Sequence, residues 1–551
     1  MNATTVRAQL VRVLATLALA VFTAPSSARA CVVGTGTSAT CKEAALNACL
    51  PGGGSFDGTV TFNCGASPVT ITVNSTETIS ADTTIDGGST IALSSSSGAM
   101  FYVTAHLTVQ NLTITTSAGD GIANGDGTVT ATNCTISNNI GNGISNDADG
   151  TVTATNCTIS GNGGYGISNN SPSGRPVTAT NCTISGNIGN GIANNSTGGP
   201  VTVTNCTVSS NGGYGIANNS GSGPVTATNC TISGNSGDGI DNNSTSGPVT
   251  ATNCTISGNS GDGILSNSTS GPVTATNCTV SGNSGNGIVN DSTSGPVTAT
   301  NCTISGNSGD GILSNSTSGP VTATNCTVSG NSGDGILSNS ASGPVTATNC
   351  TVSSNSGDGI ANKSSAGGPV TATNCTVSSN GSDGILNDSS SGTDTTITNT
   401  IMADNTSANC GGTITDGGHN LQSPGTTCGT TITTADPKLD PTGLRNNGGP
   451  TQTIALEAGS PAINAGNESV CAAAPVNNVD ERGFVRPGLG ATNCSIGAFE
   501  FNSSGPPQAV QQAPALSSWG LFTLAALLAA TGWLRSRRAE IRKIAGLSLK
   551  L

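Results

Sequence analysis

Eleven cysteines stand one per repeat through the middle of the chain: Cys134, Cys157, Cys182, Cys206, Cys230, Cys254, Cys278, Cys302, Cys326, Cys350 and Cys375. Their spacings are 23, then 25, then seven times 24, then 25 residues. Thiols in such order invite disulfide pairing, thiolate–metal ligation or redox exchange. Eleven cannot pair completely, and a single file does not supply the mixed ligand cluster that a metal needs. The same column accepts Leu112 and Thr400 and shares a face with isoleucines such as Ile256. The expectation is a ladder of buried sulfurs packing as small hydrophobes. A hydroxyl in its place, as in Cys254→Ser, is expected to cost roughly 1–3 kcal/mol if it finds no partner.

A second column carries carboxylates. Asp238, Asp262, Asp310, Asp334, Asp358 and Asp383 share one turn position, which elsewhere holds Asn142, Asn190, Asn286, Tyr165 and Tyr214. Carboxyl groups one coil apart would approach the separation of about 5 Å used by retaining glycosidases. Tolerance of Asp, Asn and Tyr reads instead as an exposed turn. Asp238, Asp262, Asp310, Asp334 and Asp358 are candidate calcium ligands, and no other cofactor is expected. Lyase chemistry needs a base, yet the repeats offer only Arg175 and Lys363 as cations, and no histidine lies between His106 and His419. Both histidines read as structural or solvent-exposed. The repeated Gly-Gly-Tyr-Gly-Ile at Tyr165 and Tyr214 places two aromatics that sugars could stack on.

These columns need elements that repeat with them. One unit, residues 247–270, reads GPVTATNCTISGNSGDGILSNSTS. Val249 and Ala251 alternate with Thr250 and Thr252, which is strand periodicity. Cys254 and Ile256 continue it one residue out of phase, so the chain bends at Asn253. Ser260-Gly261-Asp262-Gly263 is a turn, and Ile264-Leu265 opens a third short apolar piece. Three short strands cannot enclose a core alone, but coils stacked about 4.8 Å apart with parallel hydrogen bonding can. Asn253 and Asn259 recur around every repeat cysteine, and stacked amides bond along such a rod. Gly, Asn, Ser and Thr are poor helix formers. HLTVQNLTI (106–114) and ITNTIMADN (397–405) extend the pattern beyond its cysteines, giving about 13 coils and a rod of on the order of 60 Å. The expected fold class is all-β, a right-handed single-stranded parallel β-helix over residues 75–405. NCTISGNSGDGILSNST resembles the repeat of the pectin-lyase-like superfamily. That resemblance implies the fold strongly and the activity weakly, since one fold hosts many functions.

The flanks differ in composition. Arg7 and Arg12 before an apolar run, then Ala28-Arg29-Ala30, read as a signal peptide over residues 1–30. Residues 31–74 read as an N-terminal cap, with Cys31, Cys41, Cys49 and Cys64 and one short helix near Lys42–Leu50. Residues 406–502 lose the period. In an exported protein Cys410–Cys428 and Cys471–Cys494 pair by proximity in sequence. Ala462-Ile463-Asn464-Ala465-Gly466 and the Arg482, Gly483, Arg486, Pro487 element resemble the choice-of-anchor Q domain of bacterial surface proteins. Asp480 or Glu481 with Arg482 is a candidate catalytic group in the aperiodic region, while an acidic pair in a loop more often forms a solvated turn.

A Pro/Gln-rich linker (503–515) leads to an apolar segment and basic cluster (516–538), followed by a basic tail (539–551). Pro514, Leu516, Trp519, Gly520, Arg535, Arg537 and Arg538 resemble an IPTL-CTERM sorting signal, with Ala513-Pro514-Ala515-Leu516 in place of its Ile-Pro-Thr-Leu. The resemblance implies envelope sorting machinery as a partner in a Gram-negative bacterium, and a single C-terminal membrane segment. Residues 31–518 hold seven basic and 28 acidic side chains, a formal charge of −21. That disfavours nucleic acid and anionic membrane as partners. The expected protein is an exported, non-enzymatic adhesin or stalk contacting extracellular polysaccharide or a host or matrix surface. A polysaccharide lyase or glycoside hydrolase is the alternative; its mark would be unique charged residues breaking the repeat on one face, and the sequence reads as having none.

Overall fold

The computed structural model describes residues 30–363, 368–389 and 395–505. The signal peptide (save Ala30), the membrane segment and the sorting signal read from the sequence lie outside these residues. Among the described residues no helix is long and apolar enough to cross a membrane.

Each repeat folds as the sequence indicates. Val249–Thr252 forms the first strand, Thr255–Ser257 the second and Ile264–Ser266 the third. Between the first two, Asn253 sits at φ 54°, in the left-handed region that Asn tolerates better than most residues. This single residue turns the chain and shifts the inward phase from Ala251 to Cys254. Equivalent strands pair in parallel with like on like: Val249 opposite Val273, Thr255 opposite Thr279, Ile264 opposite Ile288. The result is three sheets of 17, 17 and 15 strands wound as a right-handed β-helix. Val249, Ala251, Cys254, Ile256 and Ile264 of one coil are all at most 2% exposed and continue into one core along the rod.

The rod begins earlier and ends later than the repeat. Cys31–Val33 already pairs with Thr59–Phe62, and Val69–Val73 with Ile91–Ser95, so residues 31–74 supply coils as well as a cover. The helix Glu43–Cys49 buries Leu46 and Cys49 against them. Disulfides Cys31–Cys49 and Cys41–Cys64 close loops of 18 and 23 residues, worth about 3 kcal/mol each in the chain-entropy account. At the far end Cys410–Gly411, Ile414–Asp416 and Leu421–Ser423 add a final coil.

Beyond it the chain returns along the second sheet, carrying a short helix, Glu468–Ala472, that the sequence did not suggest. Cys410–Cys428 and Cys471–Cys494 are disulfides. The former secures the last coil. The latter sits where Asn399 and Asn467 exchange bonds: the Asn467 backbone N–H donates to the Asn399 side chain at 2.8 Å, and the Asn399 amide to the Asn467 carbonyl at 3.2 Å.

Candidate functional site

The eleven repeat cysteines are free and buried. The Cys254 thiol donates to two backbone carbonyls, Thr252 O at 3.3 Å and Ala227 O of the preceding coil at 3.4 Å. Hydrogen bonding to Cys254 and burial push Cys230 well above the ordinary thiol range, so this member of the column is a thiol rather than a thiolate. Thr400 occupies the same place, and its hydroxyl donates to Thr398 O at 2.9 Å and Ala372 O at 3.2 Å. A hydroxyl here is therefore partnered, which corrects the expected penalty for Cys254→Ser downward.

The amides form two ladders of opposite character. Asn259 is fully buried: its Nδ2 donates to Asn283 Oδ1 at 3.0 Å and to Ile232 O at 3.3 Å, and its backbone N–H to Asn283 Oδ1 at 3.1 Å. Asn253 lies outside, donating to Asn229 Oδ1 at 3.0 Å.

The carboxylate column is not the exposed turn that the sequence suggested. Asp238, Asp334 and Asp358 are at most 7% exposed. Each side chain accepts the backbone N–H of the same position one coil on. Asp238 takes Asp262 at 2.6 Å, Asp262 takes Asn286 at 2.5 Å, Asp310 takes Asp334 at 2.7 Å and Asp334 takes Asp358 at 2.7 Å. Asn286 accepts from Asp310 in the same way at 2.7 Å. An acceptor oxygen is what the position needs, so Asp and Asn alternate there. The candidate calcium ligands thus have one oxygen committed. At Asp334 and Asp358 the Lys363 ammonium takes the other, at 2.6 and 2.9 Å. Among the described residues no group of three or more His, Cys, Asp or Glu is placed to hold a metal ion.

One charged residue does break the repeat. Asp241 stands on the third strand at a position held by Ala217 before it and Leu265 after it. Its Oδ2 accepts from Asn243 at 2.7 Å, while its buried Oδ1 has no partner. Burial, with the Asp238 charge beside it, pushes the Asp241 carboxyl up to about 7. Burial likewise pushes Asp238 up to about 6. The change from Ile-Ala-Asn-Asn to Ile-Asp-Asn-Asn was the available signal for this pair.

The histidines are dispersed: His106 meets Asp82 at 2.9 Å on the surface, and His419 meets the Ala465 carbonyl at 2.8 Å. Tyr165 and Tyr214 are half-buried.

The aperiodic region holds the densest charge. Asp480, Glu481, Arg486 and Glu500 are at most 1% exposed and Arg482 is 6% exposed, which overturns the solvated-turn reading. Arg482 donates twice to Asp480 Oδ2, at 2.9 and 2.7 Å, and lies between the Phe484 and Phe499 rings at 4.2 and 3.8 Å. Arg486 donates to Ser495 O and Gly497 O at 2.9 and 2.7 Å. Glu481 reaches the rod: it accepts from Thr327 at 2.9 Å, Thr351 at 2.5 Å and Thr451 at 3.1 Å. Burial raises its carboxyl well above the usual range against those three bonds. With every polar group turned inward or toward the rod, this cluster is a clamp rather than a pocket.

These features define a β-helix rod with a clamped cover. The chain belongs to the right-handed β-helix family, whose region model matches residues 70–226, 218–298 and 289–427. An IPTL-CTERM motif matches residues 511–538. No curated protein matches the chain. Solved structures that resemble it include the A-module of mannuronan C-5 epimerase AlgE6 of Azotobacter vinelandii, 12% identical over 67% of this chain and 91% of that one, with a TM-score of 0.29. PfbA, a surface adhesin of Streptococcus pneumoniae, is 12% identical over 61% of this chain and 91% of its own, with a TM-score of 0.30. At these scores the likeness bears on neither substrate nor partner.

Proposed function

We propose that this protein is an exported rod, sorted to the envelope of a Gram-negative bacterium through its C-terminal motif, and that it works as a non-enzymatic adhesin or stalk. The observation that carries the reading is the combination of a sorting motif at 511–538 with columns of side chains whose polar groups are spent on the neighbouring coil. Such columns build length and a repeated surface. Extracellular polysaccharide or a host or matrix surface is the contact in this reading, and envelope sorting machinery is the partner of the C-terminus. Brief protease treatment of intact cells tests it: the rod should be shed, and a variant lacking residues 511–538 should not reach the surface. Retention of the rod inside intact cells in both strains would remove the proposal.

One observation favours a polysaccharide lyase or hydrolase instead. Asp238 and Asp241, at about 6 and about 7, straddle the range in which a carboxyl can give and take a proton near neutrality. Incubation with acidic and neutral polysaccharides, scored for new reducing ends and unsaturated products, decides between them. Products that vanish in Asp241→Asn would establish the enzyme; silence across the panel would leave the scaffold.

A further inference from the structure

The outward positions of the first sheet hold only threonine over nine successive coils, from the pair Thr130 and Thr132 to the pair Thr322 and Thr324. Every one of these residues is half-buried, with its β-branched body held by its neighbours and its tip facing solvent. Among the described residues none of their hydroxyls has a hydrogen-bond partner, although most buried polar groups do. Within a strand the two threonines stand about 6.6 Å apart, and along the rod the pairs recur about every 4.8 Å. Elsewhere on this sheet stacked hydroxyls do meet, Thr151 donating to Thr128 at 3.4 Å, whereas the hydroxyls of these pairs are left to solvent.

We propose that this threonine lattice is an ice-binding face, which takes crystalline water as its partner. Charge and composition favour that occupant. The rod carries a formal charge of −21 over residues 31–518, yet no charged side chain stands at these outward positions, so the face is matched to a neutral partner. It holds no aromatic ring, the group that stacks on sugars. A partner must repeat in two dimensions to use nine coils at once, as a crystal surface does. The Asn253 column along one edge keeps the bend between sheets alike from coil to coil, and the strands pair like on like. The inference goes beyond the surface-rod reading and is independent of where the rod is exported, because its test uses purified protein.

The full-length chain would be assayed for ice shaping, freezing-point hysteresis and inhibition of ice recrystallisation. Thr226→Tyr with Thr274→Tyr disrupts the lattice. Thr231→Tyr with Thr279→Tyr, in the same coils but on the second sheet, serves as the control. The wild type should shape ice; the first pair should lose at least tenfold in recrystallisation inhibition and the control pair should keep it, with equal melting temperatures. If the tyrosines prevent folding, Thr250→Ser with Thr274→Ser keeps the hydroxyls, removes the methyls and should still weaken the activity. Wild-type protein that affects ice no more than serum albumin overturns the proposal. So do equal losses from both sheets, or retention on crystalline cellulose or chitin without any action on ice.

Discussion

The second sheet carries one sequence in two environments. At Thr255–Ser257 the Thr-Ile-Ser strand lies bare, with Thr255 exposed. At Thr351–Ser353 the near-identical Thr-Val-Ser strand lies under the returning C-terminal region, with Thr351 fully buried and bonded to Glu481. The repeat does not distinguish these coils. What distinguishes them is a clamp that lies 130 residues further along the chain. A repeat fixes what each coil can offer, and the aperiodic region selects which coils use it.

The comparison breaks most sharply at the clamp. Arg486→Ala leaves Glu500 and two carbonyls buried without their partner, and should cost about 3–5 kcal/mol. Hydrogen exchange should then rise around Thr351 while Thr255 is unchanged; parallel loss at both would mean that the cover supports the whole rod. Next in size is the inner amide ladder. Asn259→Ala removes the acceptor of the Asn235 backbone N–H and of one Asn235 side-chain N–H, the side chain keeping its bond to Val208 O, and should cost about 2–3 kcal/mol by urea unfolding, whereas outer Asn253→Gly should cost well under half of that. The hydroxyls themselves come third. Thr351→Val should cost about 1–2 kcal/mol and Thr255→Val should stay within about 0.5 kcal/mol, so equal values would erase the distinction between covered and bare coils. Cys254→Ser, in the light of Thr400, should cost about 1 kcal/mol or less.

Acid should favour the folded state. Asp238, Asp241 and Glu481 have carboxyls raised above their unfolded values, so the folded chain binds more protons between those values. Stability is then full below about pH 4 as far as these groups are concerned, and falls as pH rises through the folded values near 6 and 7 for the two aspartates. Melting temperature should drop between pH 5 and pH 8, and Asp241→Asn should flatten that slope. Asp262→Asn should be the smallest effect, since Asn286 already serves the same bond.

Much of the rod could be read from one unit. The inward residues Val249, Ala251, Cys254 and Ile256, the bend at Asn253 and the amide ladders all follow from local alternation and a constant period. The buried state of Asp238 was not legible, because Asp, Asn and Tyr in one column look like surface tolerance until the neighbouring N–H is seen. Asp480, Glu481, Arg482 and Arg486 were less legible still. Their partners are an aromatic sandwich, carbonyls on a separate turn and threonines 130 and 154 residues away, none of which a period encodes. The entry coils were missed because Cys31–Val33 shares no motif with the strands it extends.

The thiol column bears on how the chain can fold. Each repeat sulfur is buried, and the thiol of Cys254, for one, lies within reach of carbonyls of its own turn and of the preceding coil as well as of the neighbouring thiols. If the helix winds from its disulfide-closed N-terminal end, only the newest coil shows a reactive thiol to an oxidising surrounding at any moment. The eight cysteines that do form bridges lie 18 or 23 residues from their mates and close within a single end of the rod. Nineteen cysteines thus divide into four bridges in the flanking regions and eleven buried thiols along the rod between them, and added coils would add thiols without adding partners for a bridge.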